Sequence, residues 1–137
     1  SLLRTQRHAN NRFGYKMIIL HIEDDMDIRE IAKMALEMTG NFTVLQADCG
    51  EAGLVIAKDA TPDVLLLDVM MPGMSGPEAL VKLREMDHLA NVPAIYMTAR
   101  VQTHEIESFK KTGAIGVIVK PFDPVTLGQE ILDILQE

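Results

Sequence analysis

Past residue 16 the chain alternates between short apolar runs and longer stretches in which apolar residues recur every three or four positions. The run Met17–Ile22 ends in acids and predicts a buried strand. Residues 26–39 place Ile28, Ile31, Ala32, Ala35 and Met38 at helical spacing, with Asp25 suited to the N-cap, Asp27 to the first turn and Gly40 to the position just past the end. Phe42–Ala47 predicts a second strand, and residues 51–60 a helix with Ala52, Val55 and Ile56 inward. Asp63–Asp68 carries the run VLLL, which suits a strand covered on both faces. Pro72, Gly73, Ser75 and Gly76 mark a loop before a helix over 77–88, with Pro77 in its first turn and Leu80, Leu83 and Met86 inward. Pro93–Thr98 reads as a strand and 102–112 as a helix closed by Gly113. Ile115–Val119 reads as a strand and 124–136 as a last helix with Leu127, Ile131, Ile134 and Leu135 on one face.

Five strands strictly alternating with five helices predict an α/β fold: a doubly wound parallel sheet with right-handed crossovers and helices on both faces. The length of 137 residues suits one core. Aromatic residues make up only 4% and Trp is absent, so the core must be built from Ile, Leu, Val, Met and Ala. Residues 1–16 are polar, lack periodicity and carry Arg4, Arg7, Arg12 and Lys16 without an acid. They read as a flexible lead-in, whether tag remnant, natural tail or linker, before a domain spanning 17–137.

The formal charge of −7 becomes −11 once the four bases of the lead-in are set aside. That balance argues against direct nucleic-acid binding, which needs clustered Lys and Arg. The apolar runs fall far short of the roughly 18 residues of a membrane span. No signal-peptide core is visible, so a cytoplasmic location is expected. A single cysteine, Cys49, excludes an intrachain disulfide.

In a doubly wound sheet, ligands sit beyond the carboxyl ends of the strands at the switch in strand order. Glu23 and Asp24 follow the first strand, Asp68 ends the third, Thr98 the fourth, and Lys120 follows the fifth. A lone acid at a strand end is ordinarily a solvated loop residue or a helix cap. Three carboxylates, a hydroxyl and an ammonium converging on one crevice are harder to explain that way. Crowded carboxylates repel unless a cation intervenes, and a hard oxygen donor set suits Mg2+ or Mn2+. Such a site could stabilise a phosphoryl group in transfer.

The segments IILHIEDDMDIRE, LLLDVMMPGMSG, AIYMTAR and VIVKPF resemble the receiver domain of bacterial two-component response regulators, the CheY-like family, and the resemblance covers 17–137. It implies a flavodoxin-like sheet in the order 2-1-3-4-5. It further implies that Asp68 is the phospho-acceptor, and that Asp24, Asp68 and the backbone carbonyl of Met70 ligate Mg2+ (or Mn2+), with Glu23 acting through a metal-bound water. Thr98, Lys120 and the Ala99 backbone would bind the phosphoryl group, and the Lys120–Pro121 peptide is expected to be cis. The implied donor is a histidine kinase or phosphotransfer protein. The output surface would be the face of the last two helices and the fifth strand, which would contact a downstream protein or a second copy in a homodimer.

Val117 departs from the family, whose members commonly carry Tyr or Phe three residues before the lysine. The sequence therefore keeps a second function open, a degenerate receiver that docks a partner without being phosphorylated. A phosphatase with an aspartyl intermediate is disfavoured because Met70 stands where a second acid is usual. GxGxxG and GxxxxGK[ST] are both absent, which disfavours a nucleotide-binding module. Met70 and Arg100 offer no carboxylate or amide to orient water, so slow loss of the phosphoryl group is expected. His21 is expected to be a hydrogen-bonded strand residue, His88 and His104 solvated helix residues, and Cys49 a small packed side chain.

Overall fold

The computed structural model describes residues 15–99 and 102–137. The elements are β1 (Met17–Ile22), α1 (Met26–Met38), β2 (Phe42–Ala47), α2 (Gly50–Asp59), β3 (Val64–Asp68) and α3 (Gly76–Arg84), then a short 3-10 turn (Asp87–Leu89), β4 (Ala94–Thr98), α4 (Thr103–Lys111), β5 (Gly116–Val119) and α5 (Leu127–Gln136). The five strands form one parallel sheet in the order β2-β1-β3-β4-β5. The parallel sheet is the one the alternation predicts, and its order is the flavodoxin-like one that the resemblance implies, with the switch in order between β1 and β3.

Alternate residues of each strand serve two core layers. Met17, Ile19, Leu66, Ile95 and Ile118 meet Ala32 and Leu36 of α1 and Leu127, Ile131 and Leu135 of α5. On the other face Leu20, Ile22, Leu65, Leu67 and Tyr96 meet Ala57 of α2 and Leu80 and Leu83 of α3. All five residues of β3 are buried, as its unbroken apolar run requires of a central strand.

The helix ends form where their local capping signals lie. Asp25 caps α1, accepting from the backbone N–H of Asp27 and Ile28. Ser75 and Glu78 form a reciprocal capping box on α3. Gly40 has φ of 79°, the left-handed conformation expected at a helix end. Cys49 does more than pack: its Sγ accepts from Ala52 N–H and caps α2.

Packing covers helix faces that differ in part from those periodicity predicts. In α1 the covered pair is Ala32 and Leu36, while Ile31 and Met38 point outward, Met38 with 79% of its surface exposed. In α2 Val55 is exposed, while Ala52 and Ile56 pack partly buried against the core as expected, and the fully buried residues are Gly50, Gly53 and Ala57. Small residues win there because the helix lies close: a Cβ on Gly53 would run into the Ile22 side chain. The third helix ends at Arg84 rather than 88. The Arg84 guanidinium donates to the carbonyls of Leu89 and Val92, folding the chain into the 3-10 turn, and reaches Gly113 O at 3.5 Å. His88 therefore leaves the helix, and its Nε2 lies 2.8 Å from Ala57 O. His104 is exposed on α4 as expected.

Candidate functional site

Because all strands run the same way, their carboxyl ends share one edge. There Glu23, Asp24, Asp25, Ile28, Asp68, Met70, Thr98, Ala99 and Lys120 line a cleft of about 260 Å³. Every residue expected at the site from sequence is in it except Val117 and Pro121, which were assigned to switching and to the peptide bond. The Lys120–Pro121 peptide is cis.

Carboxylate oxygens of Glu23, Asp24 and Asp68 all lie within 4.8 Å of one another. Glu23 and Asp68 are buried and Asp24 is exposed. The Lys120 ammonium lies 2.6 Å from Glu23 Oε1 and 3.0 Å from Asp68 Oδ1, bridging β5 to β1 and β3. Thr98 is buried at the end of β4, and its carbonyl accepts from Lys120 N–H at 2.9 Å.

Burial raises the Glu23 carboxyl to about 7; the hydrogen bond from Lys120 opposes this, and neighbouring Asp68 adds to it. Burial alone would lower the Lys120 ammonium, but Glu23 and Asp68 outweigh it and its pKa is raised. One ammonium thus serves two buried carboxylates, and a third acid stands beside them. Glu23 Oε1 is buried and meets the Lys120 ammonium at 2.6 Å, a charge that Asp68 shares. An all-oxygen set with a surplus of negative charge over its one ammonium fits a hard divalent cation.

His21 lies beneath this cleft, fully buried, with Nδ1 3.2 Å from Gln46 Nε2. Burial first, then the charges of Lys120 and Arg29, hold its pKa down at about 3. The imidazole is neutral, the hydrogen-bonded strand residue expected. Sequence reasoning passed over Arg29 and Gln46. Arg29 Nη1 donates to the backbone carbonyls of Glu23, at 2.8 Å, and Asp24, at 3.1 Å. Gln46 Nε2 donates to Arg29 O at 2.8 Å. An Arg in the second turn of a helix ordinarily reads as solvated, and no local pattern marked it.

Val117 packs partly buried against the α2–α3 core layer, and Gly116 lies against Ile134. Val119, the last residue of β5, is exposed. Met71 joins the α2–α3 layer and Met74 covers Gly50, which gives two loop methionines a packing role. Met70 is 68% exposed at the cleft. Arg100 and residues 1–14 lie outside the described residues.

The family model for the response regulator receiver domain matches residues 19–132, and the chain belongs to that family, a receiver domain of two-component systems. It is 35% identical over 118 residues to the transcriptional regulatory protein CseB of Streptomyces coelicolor, covering 86% of this chain and 49% of that protein. It is 33% identical over 118 residues to the phosphate regulon transcriptional regulatory protein PhoB of Pseudomonas aeruginosa, covering 86% of this chain and 51% of the relative. The chain thus spans about half the length of these curated relatives. Among solved structures it resembles the chemotaxis protein CheY4 of Vibrio cholerae, with a TM-score of 0.81, 29% identity, and coverage of 87% of this chain and 98% of that one. Among the described residues, no helix is long and apolar enough to cross a membrane.

Proposed function

We propose that this domain accepts a phosphoryl group on Asp68 from the phosphohistidine of a histidine kinase or phosphotransfer protein, with Mg2+ or Mn2+ held by Asp24, Asp68 and the Met70 carbonyl and, through water, by Glu23. The observation that carries this reading is the position of Lys120, within 3.0 Å of Asp68 Oδ1 and 2.6 Å of Glu23 Oε1, in a cleft that also holds Asp24, Thr98 and Ala99. When bound, the cation would neutralise the acids and the charge on the transferred oxygens.

An Asp68 carboxylate oxygen attacks phosphorus in line. The new P–O bond makes an acyl phosphate as the P–N bond to the donor imidazole breaks and the imidazole leaves with the electron pair. Lys120 pairs with a phosphoryl oxygen in place of part of its contact with Asp68. The Thr98 hydroxyl and the Ala99 backbone donate to the other oxygens. The burial of Asp68 and Thr98 keeps these interactions strong, because little water competes for them. Phosphorylation then biases a two-state equilibrium that controls a downstream protein. Residues 1–16 serve as lead-in and 17–137 as the domain that carries this chemistry.

The test is intact mass after incubation with acetyl phosphate and Mg2+, run beside Asp68→Ala. A gain of one phosphoryl group in the parent, absent in Asp68→Ala or with EDTA, supports the assignment. Failure to gain mass and failure to bind beryllofluoride with Mg2+ would together return the domain to a phosphorylation-independent docking role.

A further inference from the structure

The acidic cleft needs Glu23 and Asp24 side by side, and both sit between the last residue of β1 and the start of α1, where Glu23 N–H makes the last bond to β2, to Ala47 O at 3.1 Å. Their mutual repulsion would tend to splay this turn. Beyond that bond and the Lys120 ion pair with Glu23, three sets of contacts oppose it. The Arg29 guanidinium reaches back from α1 and donates through one nitrogen to the carbonyls of both Glu23 and Asp24. Asp25 N–H donates to Glu23 Oε2 at 3.2 Å. Gln46, from edge strand β2, uses one amide nitrogen to contact His21 Nδ1 in β1 and Arg29 O in α1. The imidazole nitrogen accepts in that contact, so the amide holds strand and helix together.

We propose that Arg29 and Gln46 are positioning residues for the cation and phosphoryl site: Arg29 clamps the two carbonyls that set the direction of Glu23 and Asp24, and Gln46 fixes the helical turn from which Arg29 reaches. Neither side chain lines the cleft; both act through the backbone of residues that do. The inference rests on the cation-dependent reading above.

The clamp makes a prediction opposite in sign to that of simple electrostatics. Arg29 is a positive charge near a cation site, so removing the charge alone would tighten cation binding. Removing a positioning contact would weaken it, by a factor of about 10 if the effect is typical of groups that orient metal ligands. The experiment is calorimetric titration of Mn2+ into the parent, Arg29→Gln, Arg29→Lys and Gln46→Ala, with thermal unfolding of each metal-free protein alongside.

The expected result is weaker Mn2+ binding in Arg29→Gln by about tenfold. Arg29→Lys should weaken it too, since a single ammonium keeps the charge but lacks the planar fork. Gln46→Ala should weaken it less, and its neutral-to-neutral change leaves no electrostatic ambiguity. Unchanged or tighter binding in Arg29→Gln and Gln46→Ala, whatever happens to metal-free stability, overturns the positioning role. A parent that binds no Mn2+ overturns the cation site itself, and the inference with it.

Discussion

The Tyr96 hydroxyl lies 2.5 Å from the Thr112 hydroxyl, tying β4 to the residue that closes α4. Thr112 donates its own proton to Phe109 O at 2.6 Å, so Tyr96 is the donor between the two. The Tyr96 ring meets Phe109 edge-on with centroids 5.4 Å apart. Tyr96 is also the cross-strand partner of Val117, two residues before Thr98. The aromatic ring absent at position 117 is therefore found one strand over, buried, and bonded to the helix that follows Thr98. Tyr96→Phe should lower stability by about 1 kcal/mol, the net worth of one such hydrogen bond, seen as a melting temperature lower by about 3–5 °C. An unchanged melting temperature would show that the hydroxyl contact contributes nothing.

Stability should pass through a maximum in mildly acidic solution without divalent cations. Glu23 has a folded pKa of about 7 against an ordinary 4.5, so the folded state holds the extra proton between these values, and stability falls as pH rises through that window. His21 has a folded pKa of about 3 against an ordinary 6.5, so the unfolded state holds the extra proton there, and stability falls as pH drops through that window. The two oppose each other between 4.5 and 6.5. Melting scans in EDTA should show Glu23→Gln flattening the decline toward neutral pH and His21→Leu flattening the acid side. If Glu23→Gln leaves the slope toward neutral pH intact, another group sets it.

Gly76 lies where α3 begins directly against the Asp68 backbone. A Cβ there would collide with the Asp68 carbonyl oxygen and approach Val69 Cα to 3.1 Å. Gly76→Ala should cost about 1–3 kcal/mol and slow phosphoryl uptake, because relief of the clash moves the acceptor. Gly40→Ala is the control: its φ of 79° strains any side chain in otherwise open space, far from Asp68. It should lower stability by about 1 kcal/mol with uptake rate unchanged. Equal uptake in both variants would detach the Gly76 contact from the site.

Met70 is exposed at the mouth of the cleft and has no group to orient water. Met70→Asn should shorten the lifetime of the aspartyl phosphate, read as the rate of mass loss after donor removal. An unchanged rate would mean that this position does not govern hydrolysis.

The strand–helix alternation and the residues at the strand ends were legible in the sequence because both are local. Buried parallel strands read as unbroken apolar runs, helices carry their caps, and a doubly wound sheet collects whatever ends its strands on one edge. Glu23, Asp24, Asp68, Thr98 and Lys120 stand out in the sequence for that reason. The tertiary structure alone decided which side of each helix is covered. Periodicity in α1 fits a stripe through Ile31 and Met38 as well as one through Ala32 and Leu36, and only packing against the sheet and α5 selects the second. It also decided that Arg29 and Gln46 brace the acidic turn and that Tyr96 stands beside Val117. The Gln46 and Val117 contacts join separate elements through strand register, and the Arg29 contact, though it spans only six residues, depends on side-chain reach that spacing does not specify.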